Sequence, residues 1–248
     1  MQYDKKNKNP EIPILYEDNH LLVVNKPPGV LSQSDHTGDA DMLSILKHDL
    51  KVRYSKPGNV FLGLVHRLDR MTRGVMVFAK TSKAASRLSL QIRERTFQKR
   101  YTTVVYSPKI IPVEGVYSHY LTKDSASKKA HIHNQAIPDS KKAVLEISHV
   151  AANHPWYLLD IDLHTGRFHQ IRAQLAALGF PVFGDKKYGS TIKNGGDFAL
   201  LCRELRFKHP VRKEPLSFRI PLPKNHPWLL FFSGKHEDES IKNQGHSL

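Results

Sequence analysis

Apolar positions along the chain follow two periods, and the switches between them lay out the elements. Residues 14–17 and 21–26 are short apolar runs broken at Asp18-Asn19 and stopped at Pro27-Pro28-Gly29, which predicts a β-hairpin closed by a rigid turn. Leu43, Leu46 and Leu50 then predict a short helix. The compact run 74–79 suits a buried strand, and Ser82 offers an N-cap to a helix with Ala84, Ala85, Leu88 and Ile92 on one face. Alternation returns at 99–106, with Lys99, Tyr101, Thr103 and Val105 on one side, and again at 116–121, 143–150 and 157–164. The clearest later helix is 168–178, stopped by Gly179 and Pro181, with strands expected near 200–207 and 216–220. Strands cluster in runs more than they alternate with helices, so the expected class is α+β with a mixed, largely antiparallel sheet. Residues 1–12 and 233–248 are polar and read as tails, and 13–232 carry no repeat, low-complexity stretch or linker and read as one domain.

Charge narrows the choice of partner. The 248 residues carry 38 Lys plus Arg against 23 Asp plus Glu, a formal charge of +15. Such an excess points to a polyanion, either nucleic acid or an anionic membrane surface. A membrane surface would call for a basic amphipathic helix, whereas here the basic residues are scattered and accompanied by Tyr, His and Phe, as a groove for phosphates and bases requires. No apolar run approaches the roughly 20 residues that cross a bilayer. The single cysteine, Cys202, excludes an internal disulfide framework and zinc sites built on paired cysteines, and implies a reducing compartment, taken as the cytoplasm. Cys202 lies in the apolar run 200–205 and reads as a small buried thiol. His131-x-His133 would place two imidazoles on one strand face, but no carboxylate sits at ligand spacing, so a solvated loop and no metal are expected. Walker, dinucleotide, His-Glu-x-x-His and Gly-x-Ser-x-Gly signatures are missing, and no nucleotide cofactor is expected.

The segment least like an ordinary loop is His66-Arg67-Leu68-Asp69-Arg70-Met71-Thr72-Arg73-Gly74. Its one carboxylate, Asp69, is expected to be held ionised below the usual ~3.9 by Arg67, Arg70 and Arg73, as a catalytic group or as part of a loop salt bridge. In the helix that follows Thr165-Gly166-Arg167, the residues Phe168, Ile171, Arg172 and Leu175 share the apolar stripe. An inward guanidinium needs a carboxylate, best held bidentately, and Asp69 is the candidate partner; a purely structural arginine is the alternative. The amides opening that helix could receive a phosphate. Lys99 and Tyr101, on one strand face, could hold a phosphate and stack on a base, or form an ordinary solvent-facing pair.

Taken in order, these segments resemble the RluA-type pseudouridine synthases, which isomerise uridine to pseudouridine in RNA. The likeness runs through Ile14-Leu15-Tyr16-Glu17-Asp18, Asn25-Lys26-Pro27-Pro28-Gly29, His66-Arg67-Leu68-Asp69 with Thr72 and Gly74, and Lys99-x-Tyr101. It continues through Thr165-Gly166-Arg167-x-His169-Gln170-Ile171-Arg172, Gly184-Asp185-x-x-Tyr188-Gly189 and Leu205-x-Phe207-x-His209-Pro210. The resemblance implies a mostly antiparallel sheet in two related halves, with flanking helices and a central cleft, working without cofactor or metal. It implies that Asp69 is the nucleophile, that Arg172 pairs with it, that Tyr101 lies against the uracil and that Leu175 lines the pocket. Arg67 would fill the gap left by a flipped nucleotide, and His66, Lys99, Arg167, His169 and Gln170 would bind substrate. A carboxylate nucleophile can attack the sugar or the base, or serve as a base in a glycal route.

The sequence departs from the pattern at Arg73, where relatives usually have Ser or Thr, and at Leu201-Cys202, which replaces a commoner Leu-His-Ala. The stretch before residue 13 is too short for the small basic RNA-binding domain many relatives carry, so recognition is expected from the catalytic domain, including the basic segment 123–142, or from a partner. The expectation is a monomeric synthase acting on ribosomal or transfer RNA. Its rival is a catalytically inactive RNA-binding or ribosome-assembly module. A hydrolase using Asp69 and Asp185 lacks the metal ligands or histidine base it would need.

Overall fold

The computed structural model describes residues 10–192 and 198–232. The chain opens with strands β1 (Ile14–Glu17) and β2 (Leu21–Lys26), helix α1 (Met42–Arg53), β3 (Gly63–Leu64), β4 (Arg73–Ala79) and helix α2 (Ser82–Arg93). Strands β5 (Gln98–Tyr106), β6 (Gly115–Asp124), β7 (Lys129–His133), β8 (Lys141–Asn153) and β9 (Trp156–Leu163) follow. Helix α3 (Gln170–Ala177) precedes β10 (Leu200–Lys208) and β11 (Pro215–Arg219). The strands form one 11-stranded sheet in the order β1-β2-β4-β10-β5-β9-β8-β6-β7, with β3 beside β4 and β11 beside β10. This is the α+β class expected from the clustering of strands. Among the described residues no helix is long and apolar enough to cross a membrane.

A seam positions everything that follows. Among the described residues every strand pair is antiparallel except β4 with β10, which is parallel and pairs at Leu201↔Arg73 and Cys202↔Gly74. The pair joins two antiparallel arrays, β1-β2-β4 on one side and β10-β5-β9-β8-β6-β7 on the other. Past the seam the strands part, and the amide of Val77 donates instead to Nε2 of His66, 3.1 Å away. Gly74 permits the close approach: its φ is +128°, and a Cβ there would collide with the backbone of Cys202. Replacing Gly74 with Ala is expected to destabilise the fold by at least about 2 kcal/mol, through both the left-handed backbone and the overlap. A urea denaturation curve measures it, and an unchanged midpoint would contradict the packing described.

Local chemistry explains why the elements start where they do. Asp18 accepts from the amides of His20 and Leu21, each at 2.7 Å, which turns β1 into β2. Leu21, Leu22, Val23 and Val24 are wholly buried, as a central strand covered on both faces requires. Asp41 caps α1 through Ser44 N–H. Helix α2 is capped by Thr81, whose hydroxyl accepts from Ala84 N–H at 3.2 Å, and not by Ser82, which occupies the first helical turn. Helix α3 begins two residues later than its apolar stripe suggests, because His169 adopts φ 51° and leaves Phe168 outside the helix. Ile12, expected in the tail, packs on the main core. The expected tail 233–248 lies outside the described residues.

The segment 123–142 folds largely into the β6–β7 hairpin, in register from Tyr120↔His133 to Asp124↔Lys129. His131 therefore stands on a strand, with Asp124 at 3.7 Å, and His133 meets the Thr122 hydroxyl at 3.0 Å. The expectation of a loop without a nearby carboxylate failed because the turn at 124–128 brings back an acid seven positions away in sequence. Among the described residues, no group of three or more metal-ligating side chains is assembled.

Candidate active site

Asp69 stands on the loop between β3 and β4, immediately before the seam. Three residues from the N-terminal segment fix that loop. Lys26 is wholly buried, and its Nζ donates to the carbonyls of Pro27, Arg70 and Thr72 at 3.0, 2.9 and 2.8 Å. Burial brings its ammonium down to about 7, opposed by the charge of Asp69. Gly29 N–H donates to Arg70 O at 2.9 Å. The Ser32 hydroxyl donates to Leu68 O at 2.7 Å and accepts from Leu68 N–H at 3.1 Å. Within the loop, Thr72 N–H donates to Asp69 O at 3.0 Å, closing a tight turn. The rigid turn at Pro27-Pro28-Gly29 is thus a strut for the carboxylate.

Arg172 reaches Asp69 from α3, as its inward position predicts, but Asp69 is not its bidentate partner. Nε and Nη2 donate to Oδ2 and Oδ1 of Asp185 at 2.7 and 2.9 Å, and the remaining arm, Nη1, donates to Asp69 Oδ2 at 3.2 Å. Asp185 is buried and precedes the short 3-10 turn Lys186–Tyr188. The guanidinium also lies over the rings of Tyr188 and Phe198, 5.1 and 5.2 Å from their centroids. A planar fork with five donors spans two carboxylates in a way that an ammonium does not.

The electrostatics at Asp69 run opposite to expectation. The loop arginines do not converge on it: Arg67 is exposed, Arg73 opens β4, and Arg70 pairs with Asp39 at 2.7 Å. Burial is the largest influence and raises the Asp69 carboxyl above the usual carboxylate range. Arg172 and Lys26 pull it down, and Asp185 adds to the rise. A group raised in the native state gives up its proton later on titration, so reactions that need ionised Asp69 should fall off on acidification above pH ~3.9. His66 and His169 are both held near 3 by burial and stay neutral through that window. A pH–rate profile of kcat/KM checks this, and an acid limb at the ordinary carboxylate pKa would contradict it.

The other expected site residues fall around this centre. Tyr101 is buried opposite Cys202 across β5 and β10, and burial raises its hydroxyl well above the phenolic range, with the charge of Asp69 acting in the same direction. Lys99, on the same face, is half-buried with its ammonium pulled down by burial, and its Nζ would lie 3.1 Å from a Cβ on Gly166. It therefore adjoins the Thr165-Gly166-Arg167 turn. Arg167 is exposed, and its Nε donates to Lys142 O at 3.0 Å. Gln170 is buried, its carboxamide oxygen accepting from Thr165 Oγ1 at 2.7 Å and Arg167 N–H at 3.0 Å. The turn before α3 is thus partly bonded to itself, which leaves fewer of its amides for the phosphate expected there. Leu175 lies in the main core. His66 is turned into the sheet gap by Val77. Cys202 is a buried thiol, pushed up to about 12. His169, by contrast, reaches within 3.8 Å of Asp69.

Three residues of the centre carried no assigned role in the sequence. Lys26 and Asp185 stand inside quoted motifs; Lys26 meets the Asp69 loop at Arg70 and Thr72, and Asp185 meets Arg172 on α3. Tyr188 shares the Gly184-Asp185-x-x-Tyr188-Gly189 motif and joins its hydroxyl to both Ala130 and His169.

Comparison with known proteins bears on the whole assembly. A family model described as RNA pseudouridylate synthase matches residues 20–177, which includes Asp69, Tyr101 and Arg172. The chain belongs to the RNA pseudouridine synthase family. Its members are isomerases that act on RNA. An RNA pseudouridine synthase from Bacillus subtilis, YjbO, is 35% identical over 86% of this chain and 73% of its own length. Ribosomal large subunit pseudouridine synthase C of Buchnera aphidicola is 34% identical over 84% of this chain and 66% of its own. Ribosomal large subunit pseudouridine synthase D of Pseudomonas aeruginosa is 31% identical over 89% and 71%. Among solved structures, human RNA pseudouridylate synthase domain containing 1 superposes with a TM-score of 0.67 at 25% identity, over 86% of this chain and 84% of that one.

Proposed function

We propose that this synthase isomerises uridine in a structured RNA, ribosomal RNA foremost and transfer RNA second, with Asp69 as nucleophile and without a cofactor. The observation that carries the reading is the carboxylate itself: Asp69 is set on a loop pinned by Lys26, Gly29 and Ser32, with Oδ2 bonded to a guanidinium that Asp185 already holds. The ribosomal preference rests on the relatives named for the large subunit.

The reaction breaks the N1–C1′ bond of uridine and forms C5–C1′, while a proton leaves C5 and one is gained at N1. It balances without an oxidant, reductant or energy source. Ionised Asp69 supplies the electron pair, through attack on the sugar or the base or as the base of a glycal route. Arg172 keeps the carboxylate oriented and disperses its charge. Tyr101, buried and neutral, offers a flat face for the uracil beside Asp69. Taking the uridine out of its stack costs a few kcal/mol, which phosphate contacts of a +15 chain offset.

The test is incubation with unmodified ribosomal and transfer RNA, followed by mapping of carbodiimide-dependent reverse-transcription stops, with Asp69→Ala as control. New stops that require Asp69 are expected. Salt-sensitive RNA binding with no stops on either RNA would favour a binding module.

A further inference from the structure

Four observations around Asp69 have no place in the chemistry above. His169 holds a left-handed backbone, φ 51°, at the residue before α3, where its side chain makes no capping bond. Its imidazole stacks on Phe168, with centroids 3.8 Å apart and planes 20° from parallel, and its side chain is only 10% exposed. On one edge, Nδ1 lies 3.0 Å from the Tyr188 hydroxyl. On the other, Nε2 lies 3.8 Å from Oδ2 of Asp69, the same oxygen that accepts from Arg172.

We infer that Tyr188 and His169 form a positioning arm that holds Oδ2 of Asp69 and so presents Oδ1 as the reacting oxygen. The inference rests on the function proposed above and assigns His169 to the nucleophile's support. The proton positions follow from counting. The Tyr188 oxygen accepts from Ala130 N–H at 2.7 Å, so its own proton is free to be donated, and the near acceptor is Nδ1 of His169. Nδ1 as acceptor leaves the ring proton on Nε2, directed at the carboxylate. At 3.8 Å this contact is electrostatic, and it can tighten when substrate closes the site. Both contacts fall on one oxygen, so the carboxylate is held asymmetrically.

The surroundings keep the arm in one state. His169 faces Arg172 from α3, Asp185 just before the 3-10 turn and Lys187 within it, and Lys123 from β6. Asp69 faces Arg172, Asp185, Lys26 from β2 and Tyr101 from β5. Burial and the neighbouring cations keep the imidazole neutral, while burial and the nearby carboxylates keep the Tyr188 phenol protonated. Because Ala130 belongs to β7, the arm also ties the β6–β7 hairpin to the nucleophile.

The test uses the full chain and the variants Tyr188→Phe, His169→Asn and the pair together. Asn tolerates the left-handed backbone but cannot reach as far as the imidazole. Nitrogen NMR of the imidazoles, which does not depend on activity, should show His169 protonated on Nε2 from pH 5 to 8 in the wild type and lose that preference in Tyr188→Phe. Rates on a large-subunit ribosomal RNA transcript, read as pseudouridine by nucleoside chromatography, should fall about ten-fold in kcat in either single variant, the scale of one charge-assisted hydrogen bond. KM should stay within about two-fold, the acid limb should move to higher pH as Asp69 loses a donor to its ionised form, and the double variant should match His169→Asn alone. A δ-protonated or titrating His169, an unmoved acid limb, or losses that multiply in the double variant would each overturn the arm. A wild-type protein that makes no pseudouridine would instead overturn the function proposed above, while the NMR result still decides the arm.

Discussion

Arg172→Leu should lower stability by about 3–5 kcal/mol and remove measurable turnover. The side chain is 11% exposed, and its fork makes two bonds to Asp185, whose side chain is 1% exposed. Leucine fills much of the volume but leaves a buried carboxylate without its cation, and removing one partner of a buried pair carries a penalty of about 3–5 kcal/mol. For a domain of this size that corresponds to a Tm lower by roughly 10 °C. Arg172→Lys separates charge from geometry. An ammonium keeps the positive charge but cannot donate bidentately to Asp185 and also reach Asp69, so stability should recover in part while turnover stays down by about 10²-fold. Calorimetry and rates on the same preparations check both, and a lysine variant with full activity would show that charge alone suffices.

Asp69→Asn should abolish pseudouridine formation, by at least about 10⁴-fold, while the fold survives. Asn is isosteric and still accepts from Arg172 through its amide oxygen, and Arg172 remains paired with Asp185. What is lost is the ionised oxygen, and loss of a covalent nucleophile costs enzymes rate on that scale. Affinity for RNA should hold or rise, because a negative charge that repels phosphate has been removed. Unfolding midpoints within about 1 kcal/mol of wild type should accompany the loss. A Asp69→Asn protein that retained substantial activity would exclude a nucleophile or base role for this residue.

The sheet was legible where period and composition agreed. The hairpin of β1 and β2, the buried β4, and strands β5, β8, β9 and β10 all read directly from apolar runs or alternation. Two-residue β3 and the five-residue β7 did not, since β3 is too short to show a period and β7 is Lys-His-rich because it lies at the sheet edge. Helix boundaries moved by one or two residues where local capping overrode periodicity, as at Thr81 and His169.

At the candidate site, the contact between Arg172 and Asp69 was legible from the helical stripe. Asp185 was not assigned as the bidentate partner because a helical stripe shows that an arginine points inward without showing which carboxylate meets it. The direction of the Asp69 shift was misjudged for a related reason. Neighbours in sequence supplied three arginines, while neighbours in space supplied burial, one shared guanidinium and a second carboxylate. Lys26 is the clearest case of a role invisible in the chain, since its three carbonyl acceptors come from its own turn and from a loop more than forty residues away.

The most direct measurement is single-turnover release of tritium from RNA transcripts carrying [5-³H]uridine, with wild type and Asp69→Asn compared at matched RNA binding. Isomerisation must expel the hydrogen on C5, so tritium should appear in water with wild type and stay in the RNA with the variant. Equal release from both, or release from neither despite tight binding, would contradict a synthase that works through Asp69.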